Sequence, residues 1–264
     1  MKAKCLDSTT TKNVATVLMV FDHIYRMFAG FGAPIWFIYI GRLVFPLFLF
    51  TSAESFHYTS DRKKYLQRLL VASMAMVAMS TLVKAILPNK GLALEYNAFG
   101  TFFVVVLYML FWDRLAEGIK EKETKKIVTS ILLCFVPVVA AIPELLAVSS
   151  FVDRLPVGLV HIFELFSRMI PNALFLEGGP VMIALGLAFY IFREQRWSQV
   201  GILVGLSFLL FLYDRTSPQW MMGFAAFPLL MYNGEKGKGM KWFFYIFYPA
   251  HIYALYALST LLSK

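Results

Sequence analysis

VATVLMVFDHIYRMFAGF, residues 14–31, decides the fold class. It is apolar over nearly the length a helix needs to cross a bilayer, about 20 residues for a hydrocarbon core about 30 Å thick. Yet Asp22 and His23 stand at its middle, with Arg26 one turn on from Asp22. An ionisable group at that depth costs roughly 2.5–3.5 kcal/mol on insertion scales, so a membrane chain carrying several of them uses them. The whole composition agrees with this reading. Hydrophobic residues are 59% of the 264 and charged residues 16%, and the mean hydropathy is +0.66; soluble domains run at about 45–50% and about 25%. The expectation is an all-α, polytopic transmembrane helical bundle forming a single domain over residues 1–264, because a lipid-exposed backbone must satisfy its polar groups within each helix.

Further apolar runs follow at Ile35–Phe56, Leu69–Leu87, Ile127–Leu146 and Trp242–Leu262, with shorter ones at Phe99–Trp112, Gly179–Phe192, Val200–Tyr213 and Trp220–Tyr232. Together they give about nine spans, with ten as the alternative. The net charge of +9 is carried mainly by basic clusters in short loops, the pattern that fixes membrane orientation rather than one that binds nucleic acid. With the amino terminus cytoplasmic and Lys2, Lys4 and Lys12 ahead of an uncleaved first span, Arg62–Arg68, Arg114–Lys126, Arg193–Arg196 and Lys236–Lys241 all fall inside. That agreement requires Val157–Leu176, which carries His161, Glu164, Arg168 and Pro171, to lie at the outer interface without crossing. Cys5 and Cys134 form neither a disulfide framework nor a metal spacing.

On a helix, Asp22 and Arg26 share a face across one turn while His23 points about 100° away. A carboxylate beside an imidazole can orient it and raise its basicity, so Asp22 and His23 read as an assisted general base; the alternative is an internal ion pair with a merely hydrogen-bonded histidine. In IGRLVFPLFLFTSAESFHY, Arg42 precedes Pro46 by four residues, and Glu54 lies near the end. Proline frees a backbone carbonyl there, and a permanently charged guanidinium beside it suits a phosphate or carboxylate, or else pairs with Asp22 or Glu54. Arg62–Arg68 with Tyr65 makes a basic, aromatic rim. YNGEKGKGMK, Tyr232–Lys241, joins three glycines to three lysines, able to cradle phosphates or to serve as a positive-inside anchor, without the spacing of a Walker loop. In the last run Tyr248 and His251 can share a face, a pattern equally suited to an aromatic belt. HExxH, CxxC and GxSxG patterns are absent. A membrane transferase and a proton-coupled carrier both fit these residues.

Asp22-His23, GRLVFPLFLFTSAESF, KKYLQRLL, YNAFGTFF and above all LLMYNGEKGKGMKWFFYIFYPAH resemble, in this order, the TraX family over nearly the whole chain. The resemblance implies a bacterial inner-membrane protein related to the conjugative pilin acetylase and, more widely, to transmembrane acyltransferases such as the acyltransferase 3 and heparan-glucosaminide acetyltransferase families. It implies acetyl-CoA taken from the cytoplasmic side and a catalytic histidine in an early span, here His23 with Asp22. Arg42 and Arg68, with Tyr65, Asn97, Asn233, Gly234, Lys236, Gly237 and Lys241, are expected at the coenzyme; Arg26, Glu54, Tyr248 and His251 at the substrate or in support. The acceptor would be a protein amino terminus or a cell-surface polymer, and no metal is expected. Between Pro143 and Pro180 a longer insertion ending in LEGGP departs from the family pattern, so the acceptor may differ from pilin. The rival function is a proton-coupled transporter or flippase in which Asp22, His23, Arg42 and Glu54 act as one relay.

Overall fold

The computed structural model describes residues 5–95 and 97–263, except the side chains of Asp153 and Lys241. Lys2 and Lys4, used above for orientation, lie outside the described residues, as does the Lys241 side chain. The described chain is helical: α1 (Ser8–Phe28), α2 (Trp36–Gly41), α3 (Val44–His57), α4 (Arg62–Ile86), α5 (Ala98–Glu121), α6 (Thr124–Cys134), α7 (Val136–Val139), α8 (Ile142–Ala147), α9 (Val157–Met169), α10 (Gly179–Ile191), α11 (Arg196–Tyr213), α12 (Ala226–Met231) and α13 (Lys241–Leu262). Among the described residues there is no strand, only an isolated bridge between Leu6 and Tyr232.

Six stretches are long and apolar enough to cross a membrane: Ser8–Phe31, Trp36–His57, Arg62–Ile86, Ala98–Glu121, Thr124–Ala147 and Arg196–Tyr213. That is fewer than the nine or ten expected, for identifiable reasons. Gly179–Ile191 has 13 residues, about 20 Å of helix. Trp220–Tyr232 divides between a 3-10 helix, Pro218–Ala225, and the six-residue α12. In the 22-residue α13, four tyrosines with Pro249 and His251 dilute the hydropathy. The Val157–Leu176 segment yields only the 13-residue α9, whose Leu159, Ile162 and Phe166 are exposed at helical spacing, as in a helix lying along an interface.

The chain divides into two compact units. One runs through Tyr58, adds Ile86–Leu94 and resumes at Ala188. In it α1 packs on α2, α3 and α13, around fully buried Ala15, Leu47, Phe50, Phe56, Leu203 and Ile252. The second span breaks at Arg42 and Leu43 because Pro46 has no N–H for the Arg42 carbonyl four residues back. Gly41 closes α2, and a Cβ there would strike the carboxylate of Asp22, so only glycine allows α2 to approach α1 at this level.

The other unit comprises Thr59–Ala85 and Glu95–Leu187. Asn97 caps α5, accepting from the Gly100 amide at 3.3 Å, and donates to the carbonyl and hydroxyl of Ser73 on α4 at 3.2 and 3.0 Å. Thr101 donates to the Glu177 carbonyl at 2.8 Å, which fastens the LEGGP segment to α5. Arg62 meets Asp113 at 2.6 Å.

Candidate active site

α1 presents Asp22 and His23, both buried, at the level where α13 presents His251. Nε2 of His251 lies 3.0 Å from Nδ1 of His23, with the rings edge to face at 4.9 Å. Tyr248, one turn before His251 and also buried, meets the His23 ring at 6.4 Å. The hydrogen bonds fix which nitrogens carry protons. Nδ1 of His251 faces the Phe247 carbonyl at 2.8 Å, and a carbonyl only accepts, so that nitrogen holds the hydrogen. In neutral His251, Nε2 is then a lone pair and His23 must donate to it from Nδ1. The Met19 carbonyl, one turn back on α1, also accepts from the His23 ring, consistent with a proton on Nδ1, the ring nitrogen nearer the backbone. Nε2 of His23 is then the nitrogen without a proton.

Asp22 does not bond the imidazole. Its two oxygens accept from Arg26 Nε at 2.6 Å and from an Arg42 terminal nitrogen at 2.5 Å. Arg42 also donates to the side chain of Gln219 at 3.1 Å and to the Ile38 carbonyl at 3.3 Å. The orientation expected from Asp22 therefore comes from His251, while Asp22 is the hub of a three-charge cluster with one positive charge in excess. Both Asp22 and Arg26 act electrostatically on His23.

Glu54 belongs to a different cluster. It meets Arg196 at 3.9 Å and lies against the Tyr232 hydroxyl, which donates to the Glu235 carbonyl at 3.4 Å. Arg196 is stacked between the rings of Phe50 and Tyr232, at 4.5 and 4.9 Å, and donates to Gln199 at 2.7 Å. Twelve residues separate Glu54 from Arg42, about 18 Å along a helix.

The glycine-lysine loop does what neither sequence reading foresaw. It straps the start of α1. Leu6 donates to the Met231 carbonyl at 3.1 Å, Asn233 to that of Leu6 at 2.8 Å, and Ser8 to that of Glu235 at 2.8 Å. The Thr9 hydroxyl bonds the carbonyls of Lys236 and Lys238 at 3.2 and 2.8 Å. Gly234 and Gly237 have φ of +89° and +68°, and Gly237 fits directly against the carboxylate of Asp7, whose oxygen caps α1 by accepting from the Thr10 amide at 2.6 Å. That amide bond holds the Asp7 carboxyl below its ordinary range. Asn233 is occupied within the loop, bonding the Glu235 amide and carboxylate at 2.8 and 3.1 Å.

Of the residues expected at the coenzyme, Asn233, Gly234, Lys236 and Gly237 thus lie in this strap and Arg42 in the Asp22 cluster. Tyr65, Arg68 and Asn97 belong to the other unit, where the Arg68 guanidinium lies 6.0 Å from the Tyr65 ring. Sequence reasoning missed Gln219, Ser55 and the inward role of Lys12. Only Lys12 left a signal, its helical register with Thr16, Val20 and His23. Among the described residues no three His, Cys, Asp or Glu side chains gather as a metal site.

No curated protein and no solved structure matches the chain. The family model for the TraX protein matches residues 7–259, which include both histidines, the arginine pair and the strap. The chain belongs to the TraX family.

Proposed function

We propose that the chain is a membrane-embedded acetyltransferase of the bacterial inner membrane, amino terminus cytoplasmic, that moves an acetyl group from cytoplasmic acetyl-CoA to an amine or hydroxyl at the outer side. The acceptor is a protein amino terminus or a cell-surface polymer. The observation that carries this reading is the His251–His23 contact, which leaves a fixed, unprotonated nitrogen in a buried, polar part of a membrane helix. In the reaction His23 Nε2 takes the proton from the acceptor nitrogen or oxygen. That atom attacks the thioester carbonyl, the carbon–sulfur bond breaks, and the coenzyme thiolate leaves with the proton returned from the imidazolium. The surplus cation of the Asp22–Arg26–Arg42 cluster favours the oxyanion that forms on the way.

The carrier alternative requires Asp22, His23, Arg42 and Glu54 in one relay, whereas Glu54 is tied to Arg196 and Tyr232. The deciding experiment incubates purified protein in detergent with labelled acetyl-CoA and candidate acceptors. Acceptor-dependent release of free coenzyme A is expected, and His23→Ala should lower it by about 10²–10⁴, the usual contribution of a general base. Undiminished release from the His23→Ala protein would refute the assignment.

A further inference from the structure

The Asn13–Lys12 end of α1 and the His23 level are joined by one continuous seam with α13. Lys12, Thr16, Val20 and His23 follow one another at spacings of four, four and three, a single stripe on α1. Met240, Phe243, Phe247 and His251 form the facing stripe on α13. Between them lies a groove of about 350 Å³, lined by Asn13, Thr16, Val20, Met240, Phe243 and Phe247 and open along one side. Its lining is almost wholly apolar, and at its far end Phe247 is stacked on the His251 ring at 5.0 Å.

Next to Asn13, Lys12 carries a charge without a counter-charge. Lys12 is partly buried, donates to the Ser55 hydroxyl at 2.9 Å and lies 6.0 Å from the Phe244 ring. Among the described residues it forms no ion pair, and the charge acting on it is that of a second lysine, Lys236, delivered by the strap. Two cations drawn together beside a low-dielectric seam are costly unless an anion joins them. Behind Phe247 stands the imidazole pair. Eleven residues of α1 separate Lys12 from His23, about 16 Å.

On the reading that the donor is acetyl-CoA, we infer that its phosphopantetheine arm lies along the α1–α13 seam, with a phosphate at Lys12 and Lys236 and the thioester at His23. The arm has about a dozen bonds between phosphate oxygen and sulfur, equivalent to roughly four residues of extended chain and about 14 Å. That matches the distance between the two ends. Its gem-dimethyl and methylene groups suit the phenylalanine walls. The carboxamide of Asn13, which makes no hydrogen bond among the described residues, can pair with one of its amides. A lipid tail would fit the walls but gains nothing from paired lysines at one end and histidines at the other.

The test places a reporter in the groove of the full chain. Val17, also in the lining and 57% exposed, is replaced by Val17→Cys in a background of Cys5→Ser and Cys134→Ser, and its labelling by a maleimide is followed in detergent. Coenzyme A should slow labelling at least tenfold. Lys12→Met should raise the half-protecting concentration by about tenfold or more, the value of one lost charge-assisted contact, and Lys12→Arg should restore it. Pantetheine, which lacks the phosphate, should protect the parent and the Lys12→Met protein alike. Unchanged labelling with coenzyme A in a preparation that transfers acetyl groups overturns the seam and leaves the functional reading standing. Protection by added phospholipid but not by coenzyme A overturns it in favour of a lipid site. Protection that depends on Lys12 in a preparation that transfers no acetyl group upholds the seam and defeats the transferase.

Discussion

Asp22→Asn removes one charge and almost no volume, and the structure predicts a loss of stability rather than a selective loss of base catalysis. The carboxylate bonds two guanidinium groups at 2.6 and 2.5 Å, with side-chain exposure of 10% for Asp22, 14% for Arg42 and 31% for Arg26. Removing one partner of a buried pair costs about 3–5 kcal/mol, mostly through the charge left behind. Arg26 is partly screened by solvent, which puts the figure near the lower end, about 3 kcal/mol. For a chain of this size that is a drop in melting temperature of about 6–12 °C. The assay is thermal unfolding of purified protein in one detergent, run on Asp22→Asn, Arg42→Met and the double variant. Because Arg42→Met removes the surplus cation together with its contact, it should destabilise less than Asp22→Asn. The pair should show a coupling of about 1–2 kcal/mol. A melting temperature within about 2 °C of the parent, together with lost acetyl transfer, would refute the reasoning and restore Asp22 as the orienter of His23.

Other outcomes follow from the strap and from the second unit. Gly237→Ala forces an L side chain to φ +68° against the Asp7 carboxylate, and should cost about 1–3 kcal/mol. The clearest sign would be faster proteolysis after Lys236 or Lys238 with the helix content unchanged. Glu95 is raised by partial burial but lowered more by Lys84 and Arg168, so its carboxyl titrates below the ordinary 4.5. A depressed folded-state value adds stability above the unfolded value and loses it as pH falls through the folded one. The parent should therefore lose more stability than Glu95→Gln on acidification below about 4.5; the difference is under about 1 kcal/mol because the pair is exposed. Equal acid sensitivity in denaturant titrations would contradict this.

The helical, membrane-crossing character was legible because it is written into hydropathy, and the Asp22–Arg26 pair because helical spacing places residues four apart on one face. Pro46 likewise announced the break at Arg42. What was not legible depends on partners distant in the chain. Nothing near His23 points to His251, and only folding decides that Asp22 turns to Arg42 rather than to the imidazole beside it. The strapping role of the Tyr232–Lys241 loop was not legible for a physical reason: glycines at positive φ and flanking lysines are compatible with holding a phosphate and equally with gripping another part of the chain. Its carbonyls at Glu235, Lys236 and Lys238 face Ser8 and Thr9 of α1, while its Asn233 amide bonds Leu6. The count of nine or ten spans exceeds the six stretches that length and composition support, in part because the Trp220–Tyr232 run divides between a 3-10 helix and the short α12, a break that composition does not encode.

The strap has a consequence for biogenesis. Residues 6–9 are synthesised long before their bonding partners at 231–238. α1 must therefore enter the bilayer with its leading turn unfastened and wait there until the strap emerges. Both imidazoles obey the same timetable, so a ribosome stalled before α13 leaves His23 in place without His251.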